Sequence, residues 1–157
     1  MLKNYVITFL VAMLPIVELR GAIPIAVGLG TPLVQSYVVA VIGNMVPVPF
    51  IYFFARKILE WGAGRKYVGK FFTALLNKGS KAGEKLEGKT GFALFIALAL
   101  FVGIPLPGTG AWTGTLAASI LKIDFKKSVI SVMAGVLMAG IIMGLISAGV
   151  FTAVGIR

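Results

Sequence analysis

The chain holds 157 residues, 59% of them hydrophobic and 13% charged, with 15 Lys+Arg against 5 Asp+Glu and a net charge of +10. It has no cysteine and no histidine, which excludes disulfides, thiol catalysis and Cys or His metal sites, and five scattered acids give no reason to expect a metal. Three runs, 21–55, 90–121 and 128–156, carry no charged residue; apolar runs of that length read as membrane segments.

The first residues, MLKNYVITFLVAML, look like a signal-peptide core, but Glu18 and Arg20 follow where a small-x-small cleavage site would stand. The segment is therefore expected to be retained. Segment one, 4–17, runs into VELRGAIP (17–24), which places Glu18, Arg20, Gly21 and Pro24 inside an apolar region. A charge at bilayer depth costs about 2.5–3.5 kcal/mol, and such residues default to function. Here the two charges are expected at a hairpin tip, where they can also neutralise each other across the turn. Segment two is 21–30. Segment three, 33–55, is long enough to cross a hydrocarbon core of about 30 Å at about 1.5 Å per residue. It carries Asn44 next to a break expected at Pro47-Val48-Pro49. Asn44 is expected either to line a pathway or to bond between helices.

A basic region, 56–89, follows. Tyr67, Val68, Phe71, Phe72, Leu75 and Leu76 recur in it at helical spacing beside Lys66 and Lys70. This pattern predicts an amphipathic helix on the cytoplasmic membrane surface. It would act as an anchored linker, or in substrate gating or lipid recruitment. Segment four, 90–104, and segment five, 109–121, are each too short to span, and PLPG (105–108) breaks the chain between them. Segment six, 128–154, can span, and its small residues Gly140, Gly144 and Ala148 suit close helix packing.

The segment order is hairpin, span, basic loop, hairpin, span. It predicts an all-α integral membrane protein, an inverted repeat of a re-entrant helical hairpin plus a transmembrane helix. Repeat one is 1–55, a cytoplasmic amphipathic loop is 56–89, and repeat two is 90–157, together a single membrane domain. Twelve of the 15 basic residues fall in 56–89 and 122–127, so that side is expected to be cytoplasmic. Lys3, the 31–35 turn and Arg157 then lie outside. With the basic charge assigned to topology, nucleic acid is not an expected partner.

Each break starts a half-helix, near Gly21 and near Thr109. Unpaired N–H groups at helix starts make anion sites. Thr109 is expected to cap the second start, while Gly108 and Gly110 let backbone approach a ligand. Pro105 and Pro107 make the break. Arg20 suits bidentate binding of phosphate or carboxylate, and Glu18 is the natural proton carrier if transport is proton-coupled. Trp112 reads as a gate, a stacking surface or a packing aromatic.

Two motifs, VELRGAIP (17–24) and GIPLPGTGAWTGTLAA (103–118), resemble signatures of the small multidrug export protein family, a distant relative of the DedA/VTT membrane protein superfamily. The resemblance implies two re-entrant hairpins in an inverted repeat. Through the DedA relatives it also implies movement of lipid carriers such as undecaprenyl phosphate, and proton-dependent tolerance. The DedA pattern pairs an acid in the first hairpin with an arginine in the second; here the base is Arg20, in the first. The expected function is a small membrane transporter or flippase for an anionic substrate such as a lipid phosphate, in the cell membrane. Drug efflux, cation/proton antiport and a non-transporting scaffold are the alternatives. With no His, no Cys and no paired membrane carboxylates, enzymatic activity is not expected, nor is a cofactor. Membrane lipids are expected partners. So is a second copy of the chain, because one copy shields two broken hairpins poorly.

Overall fold

The structure is a computed structural model that describes residues 1–155; the outside placement expected for Arg157 lies outside the described residues. The described residues form seven helices and no strand: α1 Leu2–Met13, α2 Glu18–Gly28, α3 Leu33–Ala63, α4 Gly69–Leu86, α5 Gly91–Gly103, α6 Ala111–Ile120 and α7 Phe125–Ala153. Among the described residues, only α3 and α7 are long and apolar enough to cross a membrane. Much of their outer surface is apolar, with Val34 and Leu145 about 70% exposed.

Local chemistry sets most helix ends. α1 stops where Leu14 turns extended before Pro15, a conformation that the proline ring imposes on its predecessor. α5 stops likewise, at an extended Ile104 before Pro105. The break expected at Pro47-Val48-Pro49 does not end α3. The helix carries on through a wider π turn at Ile51–Ala55, a form that accommodates a disturbed hydrogen-bond ladder. It also continues past 55, since charge closes an apolar run without ending a helix. Arg56 and Glu60 sit one turn apart on α3 and pair at 2.9 Å. α7 likewise begins earlier than 128: the Asp124 carboxylate accepts from the Lys127 amide and caps it.

Side-chain contacts give the course of the chain. Near its start α1 touches α3, Tyr5 with Gln35. Further along, the Phe9 carbonyl and Ala12 crowd Gly43. The two therefore run parallel, and α2 returns beside them to the level of Asn4, whose amide donates to the Leu29 carbonyl at 3.0 Å. The second half repeats this course. α5 starts level with Lys127 and Ser131 of α7 and ends against Gly135 and Met138. Between the halves, Leu33 lies against Gly144, Tyr37 donates to the Leu137 carbonyl, and Tyr52 reaches the Ile123 carbonyl. α3 and α7 are thus antiparallel, and each carries a short helix pair folded against its first half.

The helix expected from the 67–76 pattern begins only at Gly69, so Tyr67 and Val68 lie in the turn before it; it runs on to Leu86 and is docked on the helical body. A Cβ at Gly79 of α4 would meet Leu116 of α6. Phe72, Leu75 and Leu76 join Leu116, Ile51, Ala55 and Leu59 in a small core. The main core, with Leu19, Ile23, Leu98, Val102, Val132 and Val136, lies where the two halves meet.

Candidate functional site at the hairpin tips

The turn between α1 and α2 abuts the turn between α5 and α6. Arg20 crosses from the first to the second. Its guanidinium donates to the carbonyls of Val102 (3.0 Å), Ile104 (3.3 Å), Leu106 (2.8 Å) and Thr109 (2.9 Å) and to the Thr109 hydroxyl (2.8 Å). The Val102 carbonyl is one of the acceptors that a helix leaves unpaired at its C-terminal end, the others belong to the loop that follows it, and a cation there complements the helix dipole. Thr109 closes the same loop, its hydroxyl donating to the Ile104 and Leu106 carbonyls. It therefore does not cap α6, as expected above. The residue before α6 is Gly110, which has no side chain to cap with.

Glu18 supplies that cap instead. Its carboxylate, in a residue 4% exposed, accepts from the Trp112 amide at 3.0 Å in the first turn of α6. A negative charge at this end is favourable for the same dipole reason. Glu18 and Arg20 form no direct ion pair: the one ion pair among the described residues is Arg56–Glu60. Each charge instead meets a broken helix end of the other hairpin. Glu18 holds a left-handed backbone, φ 52°, a strained conformation for a non-glycine residue.

Gly21 packs tightly on Val17, and Pro24 lies inside α2, which begins at Glu18 and not near Gly21. Trp112 bridges the tips again, its indole N–H donating to the Met13 carbonyl at 3.0 Å. Asn44 is away from this cluster, fully buried in α3, with neither amide atom hydrogen-bonded.

A half-polar cavity of about 240 Å³ opens at the junction. Glu18, Arg20, Pro105, Pro107, Gly108 and Thr109 line it, and α4 contributes Leu75 and Lys78. Beside it lies an apolar cavity of about 480 Å³, walled by Phe50, Phe54, Phe71, Phe72 and Trp112. Pro15 and Leu75 line both, so the two adjoin. Lys78 and Thr113 are polar residues of this cavity that sequence reasoning missed; Lys78 is the charged one. It follows Leu75 by three, one turn along the same helix, but only the docking of α4 brings it to the tips.

The family described as "Putative small multi-drug export protein" matches residues 18–142. That stretch takes in both tips, α3, α4 and most of α7. No curated protein and no solved structure matches the chain.

Proposed function

This chain belongs to the small multi-drug export family, and from that premise we propose that it transports an amphiphilic anion, such as a lipid phosphate of the undecaprenyl phosphate kind. One observation carries the reading: the adjoining cavities, one half-polar and one apolar. An amphiphile has the same two halves. Two bases and one acid line the polar part, Arg20 and Lys78 against Glu18, which favours an anionic head group. The chain sits in the cell membrane as a multi-pass protein, with both hairpins re-entrant and the halves inverted. The antiparallel course of α3 and α7 supports that arrangement. So does the way each short pair returns to the level where it began.

In this reading Arg20 holds the tip open, Lys78 attracts the head group, and Glu18 is the group that can exchange a proton. The DedA pattern expected from the motifs would fit it in one respect: a first-hairpin arginine delivers its guanidinium to the second hairpin. No bond in the substrate is made or broken, and no cofactor takes part. Lipids surround the protein, and a second copy covers its exposed helices. A second reading, efflux of small apolar drugs, draws on the aromatic wall of the larger cavity. It needs no anionic group.

The test is reconstitution in liposomes with a fluorescent polyprenyl phosphate, with and without a pH gradient. Transport that falls in Lys78→Ala supports the anion reading. Equal movement of a neutral polyprenol, untouched by that change, overturns it in favour of efflux.

A further inference from the structure

The N-terminal ends of α5 and α7 stand side by side at the end of the molecule away from the tips. α5 has 13 residues, so the separation from the tip site is roughly 20 Å. A cavity of about 490 Å³ lies between these ends, its lining including Lys89, Thr90, Asp124, Lys127 and Ser131 together with Phe92 and Phe95.

Its polar groups are almost all donors without partners. Thr90 precedes α5 and does not cap it, so the first-turn amides of a 13-residue helix remain unpaired. Lys89 and Lys127 are exposed, and neither forms an ion pair among the described residues. Ser131 is the second, independent sign. It is 2% exposed and lines the cavity. Ser128 and Ser147 of the same helix return their hydroxyls to the carbonyl one turn back, at 2.9 and 2.7 Å; the Ser131 hydroxyl has no such bond. The Ser131 hydroxyl reaches the cavity and is not among the sealed polar atoms without a partner, which among the described residues belong to Asn44 and Thr115. The single acid, Asp124, already holds the Lys127 amide.

We propose that this cavity binds a phosphate group, carried either by an anionic lipid or by a soluble phosphate. Two ammonium groups, free helix-start amides and buried or flanking hydroxyls are the donors a phosphate takes. The stacked rings of Phe92 and Phe95, 6.1 Å apart, offer a wall for the apolar part of a lipid. The site is separate from the tip cavity and does not depend on transport.

The experiment uses the full chain in phosphatidylcholine nanodiscs containing a minor fraction of phosphatidic acid. Bound phosphatidic acid is counted by native mass spectrometry, with and without inorganic phosphate as competitor. The double variant Lys89→Gln/Lys127→Gln is expected to lose about tenfold in retention, the scale of one or two charge-assisted bonds. Ser131→Ala, which removes only a hydroxyl, is expected to lose a smaller share. Lys126→Gln removes a neighbouring charge that does not line the cavity, and should match wild type. Displacement by inorganic phosphate would assign the site to a soluble phosphate, and resistance to it would assign a lipid. Equal losses in the double variant and in Lys126→Gln, with Ser131→Ala unchanged, would overturn the proposal.

Discussion

The carboxylate of Glu18 fills the space that a side chain at Gly110 would need. The backbone of Gly110 is also left-handed, φ 129°. Glycine is thus required there twice, once for conformation and once for room. Gly110→Ala should lower stability by about 1–3 kcal/mol, the usual scale for a side chain held in such a conformation. Thermal unfolding in detergent measures this. A variant as stable as wild type would mean that the tips do not meet as described.

Arg20→Lys keeps the charge and loses the fork. One ammonium cannot serve four carbonyls and a hydroxyl at once. The variant should lose about 2–4 kcal/mol, from two or more lost charged hydrogen bonds. Arg20→Ala should be worse still, so neither variant alone separates transport from folding. Comparing melting temperatures separates geometry from charge, and a lysine variant that melts with wild type would show that the fork contributes nothing.

Glu18→Gln is the cleaner functional change. Its amide oxygen can still accept from the Trp112 amide, so the fold should persist with a loss of about 1 kcal/mol as a charged bond becomes neutral. If Glu18 carries the proton, transport in this variant should no longer respond to a pH gradient. A full response in the liposome assay would remove Glu18 from coupling.

Lys78→Ala leaves both tips intact. It should weaken apparent substrate affinity by roughly tenfold, the worth of one charge-assisted contact, with little change in melting temperature. A fall in maximal rate at unchanged affinity would place Lys78 in the gating of α4 instead.

Asn44→Leu should stabilise the protein by about 1 kcal/mol, because it replaces a buried amide that no group satisfies with an apolar side chain of similar size. Transport should be unchanged, since Asn44 lines neither tip cavity. Lost transport in a stable variant would put Asn44 on the substrate path.

The two tips were legible in the sequence because charge, glycine and proline are conspicuous in an apolar chain. Pro15 and Pro105 stop α1 and α5 through the residue before each, a local effect that sequence carries. Helix ends drawn from charge fared worse. Arg56 and Lys127 lie within helices, because lysine and arginine are good helix formers and nothing local stops α3 before Ala63. Least legible was who answers whom. The residues that Arg20 bonds lie 82 to 89 positions further on, and no period or spacing encodes such a pairing. The same holds for Lys78, which reaches the site only because Gly79 lets α4 settle on Leu116.

The span between Arg20 and its acceptors also bears on biosynthesis. At about 5–20 residues per second, the first hairpin emerges several seconds before the second exists. During that interval its guanidinium has no carbonyls to meet and its carboxylate no amide to hold. The nascent first half is therefore an incomplete client, dependent on water, lipid head groups or the insertion machinery until residue 112 has been made. A chain truncated before that point should be recognised as unassembled and degraded, however hydrophobic it is.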